Sequence, residues 1–158
     1  MFEIGEYLIF KKDVCQVKEI KKGFLNDLDY YILSPIKDNT LKIEIPINSK
    51  NIRKLITKEE IEQIIKRIPT ISEIDVEQRL LETEYKRLLN TGNEEDLIRI
   101  IKTAYKRNQK RLEQKKKIGD KDKHYFEEAE NYLYQELGIV LDLSFEETKE
   151  YIKNKIKS

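Results

Sequence analysis

The sequence predicts an α+β protein, in which a small antiparallel β unit over residues 1–56 precedes an all-helical unit over 73–158, with a helix and linker at 57–72. Three observations predict this order. Apolar residues recur with a strand-like period in the first fifty or so positions and with a helical period after residue 56. Turn-forming residues punctuate the first part at Lys11-Lys12-Asp13, at Gly23 with Asn26-Asp27, and at Lys37-Asp38-Asn39. Capping boxes at Thr57–Glu60 and Ser144–Glu147 announce helices in the second part.

The β elements come first. Tyr7-Leu8-Ile9-Phe10, Cys15 to Ile20, Tyr30-Tyr31-Ile32-Leu33 and Leu41 to Pro46 are rich in β-branched and aromatic residues. The second and fourth alternate apolar and polar, as half-buried strands do. Four or five short strands this close together are expected to form a small antiparallel sheet curled into a Tudor/SH3-like barrel.

The helices follow. Thr57 caps a helix whose stripe is Ile61, Ile64, Ile65 and Ile68, and Pro69 ends it, making 68–72 the expected boundary between halves. Residues 77–90 place Leu80, Leu81, Tyr85, Leu88 and Leu89 on one face, and Asn90-Thr91-Gly92 closes that helix. Residues 94–112 place Leu97, Ile101, Ala104, Tyr105 and Leu112 together, with Lys102, Lys106 and Lys110 opposite at i, i+4 spacing. Lys115 to Gly119 reads as a basic loop. Residues 121–137 carry Phe126, Ala129, Tyr132, Leu133 and Leu137, with Gly138 expected just past the helix end. A last helix is expected over 145–156.

Composition removes many functions. The 158 residues carry 31 Lys+Arg and 30 Asp+Glu, a net charge of +1, and no apolar run approaches the length of a membrane span. The start, MFEIGEYLIF, lacks the basic n-region and cleavage site of a signal peptide, so a cytoplasmic location is expected. A single cysteine allows no intramolecular disulfide and no cysteine-cluster zinc site. With one histidine and five glycines, none in a nucleotide-binding arrangement, no enzyme activity, cofactor or metal is expected.

The individual chemical candidates have structural readings. Cys15 lies among apolar neighbours and reads as a core thiol. His124 has Asp120 and Asp122 nearby, too few ligands for a metal. The acidic runs at Glu59-Glu60, Glu94-Glu95-Asp96, Glu127-Glu128 and Glu146-Glu147 read as first-turn carboxylates that complement helix dipoles. Charge distribution is more telling. Residues 99–123 hold 11 basic and 3 acidic side chains, a local net of +8 within a near-neutral chain. That block reads either as a solvated helix face with a loop or as a footprint for a phosphate backbone. No base-reading motif accompanies it.

Several motifs in order resemble one family. Phe2 to Phe10 resembles its opening "hydrophobic-x-x-G-D-x-V-V-Y" segment, Tyr30 to Leu33 its "YYVL" strand, and Leu41 to Ile47 its "hydrophobic-x-V-x-V-P-V" strand. Arg53 to Glu60 is similar to the lead into its first helix, and Arg79, Leu89 to Asn93 and Tyr132 to Leu137 match later elements. Together these resemble the CarD family of bacterial transcription regulators across nearly the whole chain.

The resemblance implies a non-enzymatic regulator whose N-terminal module binds the β-subunit lobe of RNA polymerase by strand addition. The strand would be Leu41–Ile47, with Lys42 and Glu44 outward and Lys18, Lys21 and Lys22 flanking. The helical domain would contact promoter DNA, without strong sequence preference, at the upstream edge of the opening bubble. The family's minor-groove wedge is a Trp that this chain lacks, which leaves Ile74 or Val76 at that position. Glu44 stands where relatives place a basic residue. Arg79, Lys86 and Arg87 are the remaining expected DNA contacts on one helix, and Lys102, Lys106 and Lys110 on the next. A monomer associated with the nucleoid is implied. An adaptor that binds polymerase or another partner without touching DNA stays open as the alternative, as does an enzyme acting through carboxylates.

Overall fold

The structure, a computed structural model, describes residues 1–157, and for 155–157 the backbone alone. It is an α+β protein, with a five-stranded antiparallel sheet followed by five helices. The chain divides into two compact units between Leu55 and Ile56. The expected boundary at 68–72 is therefore corrected. Ile61, Ile68 and Ile71 are buried in the core of the helical unit, so segment 57–72 packs there instead of linking two bodies.

In the first unit, strands β1 (Tyr7–Phe10), β2 (Asp13–Leu25), β3 (Leu28–Pro35), β4 (Ile43–Pro46) and β5 (Ile52–Arg53) are ordered β4-β3-β2-β1-β5. The sheet is not closed, and β4 and β5 are its two edges. Leu8, Cys15, Val17, Tyr31, Leu33 and Ile45 form the core of one face. The Tyr31 hydroxyl accepts the Phe2 amide at 2.9 Å, which ties the N-terminal segment over that face.

β2 is much longer than the expected Cys15–Ile20, because two irregularities let it continue. Val17 pairs with Leu33 and Glu19 with Ile32, so Lys18 is an extra residue in a bulge. The bulge resets the alternation. Cys15 and Val17 face the core before it, and Ile20 returns to the core after it. Gly23 is not a turn residue but lies in the second irregularity at φ +55°, a conformation that suits glycine. The turn itself is Asn26-Asp27, both left-handed, which matches the twist of a two-residue hairpin. Burial pushes the Cys15 thiol up to about 11, with nearby Asp13 adding to it, so it stays a protonated core group.

The second unit holds α1 (Lys58–Arg67), α2 (Leu81–Thr91), α3 (Glu94–Glu113), α4 (Asp120–Leu141) and α5 (Phe145–Lys157). Both capping boxes form, Thr57 with Glu60 and Ser144 with Glu147. Gly92 ends α2 at φ +63°. Three expectations are corrected. Leu80, Tyr105 and Leu112 are exposed, since the buried stripe of α2 begins at Leu81 and that of α3 is completed by Ile98 and Ile100. Glu127 and Glu128 lie two turns into α4, away from its N-terminal dipole. Gly138 lies inside α4, which runs to Leu141 and ends on left-handed Asp142. A side chain there would meet the Leu143 carbonyl at 2.9 Å and the Thr148 hydroxyl at 3.1 Å, so glycine is needed for the α4–α5 turn to pack closely. No helix among the described residues is long and apolar enough to cross a membrane.

α4 is the central helix, and one buried carboxylate on it organises its neighbours. Asp122 is 2% exposed. Its oxygens accept from the Tyr85 hydroxyl of α2 at 2.7 Å, from Arg107 Nε of α3 at 3.1 Å and from Arg111 of α3 at 2.6 Å. Burial alone would raise its pKa, but Tyr85 and the two guanidiniums outweigh burial and hold it below the usual carboxylate range. Arg111 also donates to Asn108, whose side chain accepts the Gly119 amide at 2.8 Å, so the loop between α3 and α4 joins the network.

Breaking a buried pair strands the opposite charges, so Asp122→Ala is expected to destabilise the protein by about 3–5 kcal/mol in urea unfolding. The unfolded aspartate titrates near 3.9 and the folded one lower, so its contribution is present above about pH 4 and is lost as pH falls through the folded value. Asp122→Asn should therefore flatten the fall in stability below about pH 4, as read from unfolding midpoints across an acid series. Gly138→Ala is expected to cost about 1–3 kcal/mol by overpacking, although alanine is the better helix former; thermal unfolding would register it.

Candidate nucleic-acid and partner interfaces

The sheet unit offers one extended free edge. β4 pairs with β3 through Ile43–Leu33, Glu44–Ile32, Ile45–Tyr31 and Pro46–Tyr30, and its other side pairs with no strand among the described residues. Ile45 points into the core, so Glu44 faces outward, as expected. Lys42 is exposed but precedes the strand, which starts at Ile43 and not at Leu41. The flanking lysines are partnered. Lys21 pairs with Glu44 at 3.7 Å and lies over the Phe24 ring at 4.5 Å, Lys22 pairs with Asp29, and Lys18 donates to Gln16 from the bulge. The edge thus presents a mixed Lys21–Glu44 pair in place of a uniformly basic row.

In the helical unit, the basic block separates into two populations. One is structural. Lys102 Nζ donates to the carbonyls of Ile68 and Ile71, both at 2.7 Å, and so caps the end of the α1 segment. Arg99 donates to the Ser72 carbonyl, Lys106 pairs with Glu73, and Arg107 and Arg111 hold Asp122. An open cleft of about 510 Å³ lies over this last group, bordered by Arg79, Arg107, Arg111 and Lys121. Its two half-buried guanidiniums, Arg107 and Arg111, already face the Asp122 carboxylate, which leaves little charge for a phosphate. The second population is exposed. Lys110, Lys115, Lys116, Lys117 and Lys123 extend from the end of α3, the following loop and the start of α4. Lysines beyond a helix C-terminus also complement its dipole.

The remaining expected contacts are divided as well. Ile74 is half-buried against the helical core and its amide donates to the Thr103 hydroxyl at 2.9 Å, so it is anchored. Val76 is exposed, and so are Arg79 and Leu80 a few residues on. Arg79 pairs with neighbouring Glu77 at 2.7 Å, Arg87 forks onto Glu84, and Lys86 is exposed. Of the α3 series, only Lys110 is available as expected, because Lys102 and Lys106 serve the segment at 68–73. The lysine tip lies within the basic block, but periodicity does not single it out, since a loop has no period.

The sequence matches no protein-family model, and no curated protein matches it.

Removing the Lys102 ammonium takes a charged donor from the Ile71 carbonyl and leaves the Ile68 carbonyl with the Ile71 amide at 3.2 Å, so Lys102→Ala is expected to lower stability by about 1–3 kcal/mol. Lys110→Ala should change it by less than about 0.5 kcal/mol. Paired chemical denaturation curves would separate the structural lysine from the solvated one.

Proposed function

We propose that this chain is a non-enzymatic transcription regulator that docks on the β-subunit lobe of bacterial RNA polymerase and contacts promoter DNA. The observation that carries this reading is the free β4 edge, which lies at the strand the CarD-like resemblance assigns to docking. Added strands gain main-chain hydrogen bonds along such an edge, and the Lys21–Glu44 pair beside it supplies selectivity. The strand order also supports a Tudor-like module, since the last strand returns beside the first, as a small barrel requires before it closes.

On the helical unit, the exposed lysine tip at Lys110, Lys115, Lys116 and Lys117 meets the phosphate backbone without reading bases. Val76, exposed beside Arg79, takes the place of the wedge at the upstream edge of the bubble. Such a regulator works as a nucleoid-associated monomer and modulates open-complex stability by binding the open and closed complexes with different affinity. The adaptor reading, with polymerase bound and DNA untouched, is favoured by a specific observation: Arg79, Arg87, Lys106, Arg107 and Arg111 are all in ion pairs within the chain.

Binding to host polymerase, measured with and without a forked promoter fragment, tests these readings. Lys42→Glu with Glu44→Lys is expected to weaken polymerase binding about tenfold. Lys→Glu changes at Lys110, Lys115, Lys116 and Lys117 should leave polymerase binding intact but abolish the gain from DNA. Every lysine–phosphate interaction removed in this way should lower the salt slope by about one. A wild-type protein indifferent to DNA would leave the adaptor, and one that ignores polymerase would overturn both.

A further inference from the structure

A second surface on the helical unit has no part in the function proposed above. Between α3, α4 and α5 lies an open groove of about 390 Å³, within the range of small-molecule sites. Its walls are apolar, formed by Ile101, Phe126, Ile152 and Tyr105 among others, and Tyr105 is 55% exposed at the lip. An aromatic side chain left this open beside an apolar trough lies where a ligand would cover it.

The rim is cationic. Lys102 and Lys106 border the α3 wall, and Lys149 and Lys153 border the α5 wall. Two carboxylates oppose these four lysines, Glu73 at Lys106 and the buried Glu130, 3.8 Å from Lys149. Two positive charges are left over. Lys102 is committed to backbone carbonyls and Lys149 to the buried Glu130, whereas the Lys106–Glu73 pair is exposed on both sides and weak, so Lys106 can be shared with an anionic group at the mouth beside the exposed Lys153.

We propose that this groove binds a free single-chain anionic amphiphile of the fatty-acid type, with its hydrocarbon body along Ile101 and Ile152 and its carboxylate between Lys106 and Lys153. The groove's volume suits one chain, whereas a stable protein interface buries about 800 Å² on each partner. The proposal is independent of polymerase or DNA binding.

Titration of the full chain with laurate below its micellar concentration tests it, read by calorimetry and by isoleucine methyl NMR. One saturable site is expected, with the Ile101 and Ile152 methyls shifting together. Dodecyltrimethylammonium, with the same chain and opposite charge, should bind at least about tenfold more weakly. Lys106→Glu with Lys153→Glu should also cost about tenfold, and Tyr105→Glu, at an exposed position, should abolish binding at the lip. Absence of a saturable site, equal binding of the two amphiphiles, or full affinity in the Lys106/Lys153 variant would overturn the proposal. Binding to anionic vesicles or to an acidic amphipathic peptide, with laurate excluded, would overturn it in favour of that occupant.

Discussion

The helical unit depends on a single buried charge. A carboxylate removed from water is tolerable only when every lone pair has a donor, and Asp122 has Tyr85, Arg107 and Arg111 from two neighbouring helices. Those donors point in fixed directions, so satisfying them fixes the register of α2 and α3 against α4. Apolar packing alone tolerates sliding, as the many isoleucines and leucines of this core would permit. The same network reaches the α3–α4 loop through Asn108, where Arg111 packs so closely on Gly119 that a Cβ would come within 2.3 Å of the guanidinium.

That network also changes the meaning of the basic block. Counted along the chain, residues 99–123 look like one electrostatic surface. In the fold, arginines and lysines from the middle of α3 turn toward the segment at 68–73 and toward Asp122, and the charge that faces solvent collects beyond the end of α3. Any long-range attraction for a polyanion therefore centres on the loop more than on the face of α3.

Local signals were legible in the sequence and relational ones were not. Thr57, Ser144 and Gly92 act through neighbours within a few residues, so their roles as caps could be read directly. Lys18 could not be read as a bulge, because only the pairing of Val17 and Glu19 with β3 creates it. Gly138 looked like a helix end because glycine commonly is one, yet its role is set by Leu143 and Thr148 across the turn. Asp122 looked like a neighbour of His124, and its true partners lie 11 to 37 residues away. Of the candidate sites, Glu44 on the outward side of an edge strand and the exposure of Lys110 and Val76 were legible. The anchoring of Ile74 and the internal use of Lys102 and Lys106 required tertiary contacts.

The open edge of the sheet has a consequence for the chain's behaviour in a crowded solution. Unpaired strands invite copies of themselves, and proteins with such edges risk growing into aggregates. Here β4 is only four residues long, bears a carboxylate at its centre and finishes in Pro46, which has no amide hydrogen to offer. A second copy joined to the same edge about a two-fold axis at the strand's centre would run antiparallel and set Glu44 against Glu44. The strand is thereby discouraged from templating its own kind while it stays available to a differently charged strand.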